Sequence, residues 1–235
     1  MGHARTGKLI EPRGDNAALL AIKAALGNPY HFASWTPDYT CCDWYDVDYD
    51  DSIGRVVGLS VFQDGNIMGT IPDVIAGLVH LQSLMWHHLP GISGPIPPAI
   101  AKLSNLSSLT ISWNAISGPV SSFLGVLTKL TFLDLSFNSL TGTIPTSLAA
   151  IPNLSIINLS HTRLTGSIPP RLLSKSADQI YLWLSHNNLS GTLPAEFAAA
   201  NFSHLNLSRN RFTGNAPGLF GRGKELQYKE TKISP

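Results

Sequence analysis

Charge is scarce in this sequence. Asp, Glu, Lys and Arg make up 13% of its 235 residues, against about 25% in an average soluble protein. The formal net charge of +1 gives no basic excess of the kind that nucleic acid or an anionic membrane attracts, so neither partner class is expected. No stretch is apolar for long enough to span a bilayer. Residues Met1 to Asn16 carry Arg5, Lys8 and Arg13 without an apolar run, so no secretory signal is expected in the sequence as it stands. Met1-Gly2 with Thr6 fits the loose N-myristoylation pattern, but so short a match makes a disordered or replaced leader over residues 1–14 the plainer reading. Cysteine is nearly absent. Cys41 and Cys42 are the only two, adjacent cysteines bridge only with strain, and both thiols are expected free.

Turn formers and apolar residues are abundant: 20 Gly, 16 Pro and an apolar fraction of 43%. The glycines carry a period. Gly69, Gly94, Gly118, Gly142, Gly166, Gly191 and Gly214 are separated by 25, 24, 24, 24, 25 and 23 residues, the mark of a stacked-repeat architecture. An Ile or Leu and then Pro usually follow, as in Gly69-Thr-Ile-Pro72 and Gly191-Thr-Leu-Pro194; Ser121 replaces the Pro after Gly118, and Ala216 the apolar residue after Gly214.

Upstream of each Gly runs L-x-x-L-x-L-x-x-N, as in Leu106 to Asn114 and Leu130 to Asn138. Its alternation predicts a strand with Leu109 and Ile111 inward and Thr110 and Ser112 outward. The closing Asn suits the backbone groups of the turn between coils. Asn114, Asn138, Asn187 and Asn210 fill that place, and Thr162 stands in for it once. One such unit cannot bury its leucines alone, but stacked units share a core and pair their strands in parallel. The expected fold is α/β: a right-handed solenoid of seven repeats, a parallel concave β-sheet about 30 Å long and a helical N-terminal cap. The expected division is 1–14 leader, 15–54 cap, 55–227 repeats and 228–235 divergent tail.

The outward positions are expected to form one concave binding face. It runs from Met85, His87 and His88 through Thr110, Ser112 and Trp113 to Asp134, Ser136 and Phe137. It continues through Asn158, Ser160 and His161, then Trp183, Ser185 and His186, to Asn206, Ser208 and Arg209. Trp113, Phe137 and Trp183 are unusual on a wet face, and lateral packing between coils and partner contact both account for them. His87-His88 lacks a Cys or carboxylate at ligand spacing, and neighbours on a strand point apart, so no metal site is expected. The cluster Asp43, Asp46, Asp48, Asp50 and Asp51 lacks the central Gly of a calcium loop and has Val57 where its final Glu would fall. A solvated cap loop is the default. Trp35 and Trp44 read as cap core. No nucleophile with a placed base, phosphate loop or closely paired acids is evident, and neither catalysis nor a cofactor is expected. Six Asn-X-Ser sequons, at Asn105, Asn153, Asn158, Asn188, Asn201 and Asn206, are candidate glycosylation sites.

The G-x-I-P turn resembles the plant extracellular leucine-rich repeat of receptor-kinase ectodomains and polygalacturonase-inhibiting proteins. The flank Asn16 to Tyr30, Ser34-Trp35 and Cys41-Cys42-Asp-Trp-Tyr45, with Ile100 to Leu103 and Leu133 to Asn138, is most similar to the cereal inhibitors. The resemblance spans roughly residues 15 to 227. It implies a non-enzymatic protein of the extracellular cell wall that holds fungal or insect polygalacturonases on its concave face, with pectin as a further candidate ligand. It singles out Asp134, and departs where the family has another acid, at Asn158. It also implies four cap cysteines. The place near Glu11 is empty here and Tyr49 stands where the last would fall, so both disulfides should be absent. The family's further repeats and cysteine-bearing C-terminal cap are not matched beyond Gln227. Competing readings are a ligand-sensing ectodomain fragment of a receptor-like protein and an ice-binding relative; for the latter the outward positions are too mixed.

Overall fold

The computed structural model describes residues 13–38, 41–173 and 179–215, with the backbone of two further strands, Glu225–Gln227 and Lys232–Ser234. Most of the expected leader and Ala216 lie outside the described residues.

A helix, α1, spans Arg13–Ala25. Leu19 and Ile22 fall on one face of it and are buried, together with Leu26 just past its end and with Phe32, Trp35 and Trp44. Gly27 ends it in the left-handed conformation at φ 79, which lets Asn28 N–H reach the Lys23 carbonyl at 2.9 Å. One buried acid then ties the helix to the first coil. Asp15, 1% exposed, accepts from Arg55 Nε at 2.8 Å and Nη2 at 2.7 Å, and from the Val56 N–H at 2.9 Å.

Strands in register build the rest. Leu84, Leu109, Leu133, Ile157, Leu182 and Leu205 are paired strand to strand, and none is more than 2% exposed. Burying each contributes about 1.5–3 kcal/mol. A slip of one residue in any coil would turn that column outward, which fixes the register. The concave sheet has nine strands, two more than the seven glycine units suggest: Val47–Asp50, Arg55–Phe62, Ser83–His87, Ser108–Ser112, Phe132–Asp134, Ile156–Asn158, Ile180–Trp183, Phe202–Asn206 and Glu225–Gln227, in chain order. The first is antiparallel and comes from the cap; the last extends the ladder beyond Gly214. Its width is therefore on the order of 40 Å rather than 30 Å.

The glycine turns form a second surface. Two four-stranded parallel sheets, one from Met68–Thr70 to Ser139–Thr141 and one from Thr165–Gly166 to Lys232–Ser234, are joined by a bridge between Thr143 and Thr165. The seven periodic glycines have φ between 76 and 127, a conformation that L side chains rarely adopt, and this explains their spacing.

Candidate concave binding face

Each middle strand offers two outward side chains. One row runs through Met85, Thr110, Asp134, Asn158, Trp183 and Asn206. A second row, two residues earlier, runs through Ser83, Ser108, Phe132, Ile156, Tyr181 and His204. Sequence reasoning missed the second row by starting the alternation one step late, although extending the period-two pattern back from Leu109 or Leu133 gives Ser108 and Phe132. Together the rows bring Phe132, Ile156, Tyr181 and Trp183 onto one half-buried patch. The Tyr181 and Trp183 rings lie 5.8 Å apart at 21°, and Trp183 meets His204 at 5.0 Å. Within the first row, Thr110 is only 7% exposed and presents little.

Asp134, Asn158 and Asn206 share one local task. Asp134 Oδ1 accepts from Ser136 N–H at 2.9 Å and Ser136 Oγ–H at 2.6 Å; Asn158 and Asn206 hold Ser160 and Ser208 in the same way. The acid and amide thus stop the strand and turn the chain. The expectation that Ser112, Ser136, Ser160 and Ser185 face a partner is corrected here: all four are buried, because the chain bends inward where they stand. Ser112 lies beneath His87, whose Nδ1 is 2.9 Å from its Oγ.

A further correction concerns His88, Trp113, Phe137, His161, His186 and Arg209. None is on a strand. With Gln63 they occupy the turn after it, all at φ between 52 and 58, a conformation that costs an L residue about 1–2 kcal/mol. The turn keeps its hydrogen bonds, since Trp113 N–H reaches Ser136 O at 3.1 Å and His161 N–H reaches Ser185 O at 2.9 Å. It also stacks its side chains. Ring centroids are 3.7 Å apart for Trp113–Phe137, 4.1 Å for Phe137–His161 and 3.8 Å for His161–His186, all within 19° of parallel. For Trp113 and Phe137, lateral packing between coils is thus realised, while the ring edges line a shallow depression of about 450 Å³ with His88 and Pro90. Burial, with His186 and Arg209 nearby, pushes the His161 imidazolium below its ordinary range.

The residue after each ladder position binds two coils together. Asn138 Nδ2 donates to Ile111 O at 2.7 Å while its Oδ1 accepts from Ile116 N–H at 3.1 Å, and Asn114, Asn187 and Asn210 repeat the pattern. Thr162 has one hydroxyl in that place, directed at Leu159 O and Asn187 Oδ1.

The remaining candidates are structural or peripheral. Asn105 bridges coils, donating to Val79 O and accepting from Lys129 Nζ. Asn153 and Asn201 are exposed and Asn188 is half-buried. In the cap, Cys41 and Cys42 are free, and Tyr49 lies near Cys42 where the resemblance would put a disulfide. Burial raises the Cys41 thiol to about 12. Of the acidic cluster, Asp46 meets His31 Nε2 at 2.5 Å, and Asp50 holds Ser52. Among the described residues no group of three or more His, Cys, Asp or Glu could hold a metal, and no helix is long and apolar enough to cross a membrane.

Comparison with known proteins agrees with this architecture. Residues 12–47 match the leucine rich repeat N-terminal domain, and residues 129–151, 153–174, 180–200 and 201–222 match the Leucine Rich Repeat. A polygalacturonase inhibitor of Pyrus communis is 46% identical over 99 residues, 42% of this chain and 30% of that protein. Polygalacturonase inhibitor 1 of Oryza sativa subsp. japonica is 42% identical over 102 residues, 43% of this chain and 30% of that protein. The matched region thus spans less than a third of either relative. Among solved structures, a plant ice-binding protein superposes with a TM-score of 0.89 at 40% identity, over 94% of this chain and 72% of that one. PEPR1 in complex with AtPEP1 superposes with a TM-score of 0.83 at 28% identity, over 94% of this chain and 32% of that one.

Proposed function

The chain belongs to the plant leucine-rich-repeat proteins with a leucine-rich-repeat N-terminal domain, and we propose that it is a defence protein binding and inhibiting pathogen polygalacturonase. Proteins of this kind are binders and not enzymes. The observation that carries the reading is the concave patch of Phe132, Ile156, Tyr181 and Trp183 beside Asp134 and His204. Aromatic anchors ringed by polar side chains are the usual composition of a protein-binding centre, and two relatives matched over 99 and 102 residues are polygalacturonase inhibitors. Fungal or insect enzymes are the proposed partners, pectin is a secondary ligand, and the cell wall is the proposed place of action.

A reducing-sugar assay of fungal polygalacturonases with and without the purified chain, paired with a binding titration, tests the reading. Binding with slowed cleavage supports it; binding without slowing identifies a degenerate copy; no binding across a broad panel refutes it. The second reading is ice binding, favoured by the superposition on an ice-binding protein and by exposed Thr70, Thr143, Ser167 and Thr192 after the periodic glycines. Exposed Pro95 and Pro119 break that rank, which is why it ranks second. An ice-recrystallisation assay separates the two.

A further inference from the structure

The six sequons are nearly one tripeptide, Asn-Leu-Ser in five and Asn-Phe-Ser at Asn201. Local sequence does not separate them, but their places in the coil do. Asn105, Asn153 and Asn201 follow one another at intervals of 48 residues, which is two coils each time. Each stands in the loop that leads from a short 3-10 helix into a concave strand, ahead of Ser108–Ser112, Ile156–Asn158 and Phe202–Asn206. Those strands belong to one parallel run of the sheet, so the three asparagines line a single margin of it, on the order of 10 Å apart. The turn column of Trp113, Phe137 and His161 follows the strands and lines the opposite margin.

Asn153 and Asn201 alone among the six are exposed, and their side chains make no hydrogen bond among the described residues. Asn105 has both ends of its amide engaged, Nδ2 donating to Val79 O at 3.0 Å and Oδ1 accepting from Lys129 Nζ at 2.7 Å. Asn158 and Asn206 are half-buried on the concave face with Oδ1 held in the turns at Ser160 and Ser208, and Asn188 is half-buried in the strand Asn188–Gly191. An oligosaccharide is bulky and hydrated. An exposed, unengaged amide carries it at no cost in packing, whereas at Asn158 it would have to stand between Asp134 and Trp183, the neighbours in register. Asn153 and Asn201 also precede Asn158 and Asn206 by five residues each. During synthesis from the N-terminus they meet a transferase first, and an oligosaccharide placed there crowds the second acceptor.

We propose that Asn153 and Asn201 carry N-linked oligosaccharides, which line the strand-entry margin of the concave sheet and leave a partner to approach over the turn column. This rests on the extracellular, protein-binding reading above and adds the modification and the side of entry. In the transfer, the Asn amide nitrogen attacks the first sugar carbon of a polyprenyl-diphosphate-linked oligosaccharide. A carbon–nitrogen bond forms, the sugar–phosphate bond breaks, the lipid diphosphate leaves, and one amide proton passes to a base of the transferase. With that margin occupied and Asn158 and Asn206 bare, the patch of Phe132, Ile156, Tyr181 and Trp183 stays open from the other side.

The test is expression of the full chain behind a cleavable secretion signal in an N-glycosylating eukaryotic cell. Enzymatic glycan release in heavy-oxygen water then marks each formerly occupied Asn as a labelled Asp in peptide mass spectrometry. Occupancy at Asn153 and Asn201, with Asn158 and Asn206 bare, is expected. A bare Asn153 or Asn201, or occupancy at Asn158 or Asn206, overturns the assignment. The side of approach is read with Ala115→Asn, which makes a sequon with Ser117 in the depression lined by Trp113 and Phe137. Its glycoform, shown occupied by the same mass spectrometry, should bind a responsive polygalacturonase at least about tenfold more weakly than the parent. Glycan release should restore the parent's affinity, which separates obstruction from a folding defect. Unchanged affinity in that glycoform overturns approach over the turn column. A chain glycosylated at Asn153 and Asn201 that binds no polygalacturonase refutes the proposed function but not the attachment sites; a chain bare at both that still binds one does the reverse.

Discussion

At the residue scale, the side chain that the sequence most recommends for binding is also needed for folding. Asp134 carries the one negative charge of the outward rows, yet its Oδ1 holds the turn at Ser136. Asp134→Ala removes both, so a binding loss in that variant proves little about charge. Asp134→Asn separates them, because Asn158 and Asn206 do the same local work with an amide. The Asn variant should melt within about 0.5 kcal/mol of the parent, and the Ala variant should lose about 1 kcal/mol. Urea titration of the pair checks this; equal losses would mean that the turn bonds contribute nothing. Thr162 offers the opposite change. An amide there gains a second donor, as Asn138 has toward Ile111 O, so Thr162→Asn should stabilise by about 1 kcal/mol. A thermal scan should rise by about 2–4 °C for a chain of this size, and an unchanged or lower midpoint would show that the Thr162 contact to Asn187 is already equivalent.

At the element scale, the turn column and the cap show where sequence reading stops. Regular spacing made the strands, the glycine turns and the asparagine ladder legible, because each rests on a period that one sequence displays. The column of Trp113, Phe137, His161 and His186 was read as outward strand because nothing in their identity announces a left-handed φ; aromatic residues seldom adopt it. Ser136 and Ser160 were misread for a related reason: a polar residue in phase with the outward row can equally be the acceptor's partner in a turn. Stacking gives the column its own pH dependence. The His161 proton is bound less tightly in the folded chain than its ordinary value of 6.5, so the unfolded chain binds more protons there. Stability contributed by the neutral ring is present above that value and is lost as pH falls through and below it. His161→Phe continues the stack from Phe137 without titrating, and its melting temperature should fall less on acidification than that of the parent. Parallel melting curves between about pH 7.5 and 5 read the difference, and identical slopes would remove His161 as a cause. In the cap, burial holds the Cys41 thiol near 12, whereas Cys42 is half-buried. Alkylation of the native protein should therefore label Cys42 well before Cys41, with Cys41 reacting on unfolding. Peptide mass spectrometry of timed samples checks this, and equal native rates would contradict a packed cap.

At the scale of the whole molecule, a solenoid separates its tasks by side. The inward leucines join the coils, the glycine turns close them, and the nine-stranded concave sheet carries the side chains left for a partner. The central claim is that a polygalacturonase sits on that sheet and not elsewhere. Trp183 lies in its apolar patch, while Val126 is 56% exposed at the end of the short 3-10 helix Ser122–Val126 between the sheets. The direct measurement is a binding titration of one responsive polygalacturonase against the parent, Trp183→Ala and Val126→Ala, each first shown folded by circular dichroism. A concave-face complex predicts that Trp183→Ala weakens binding by about 2 kcal/mol, or about thirtyfold, with Val126→Ala unchanged. Unchanged affinity in Trp183→Ala together with a loss in Val126→Ala would contradict it and move the partner to the outer side of the coil.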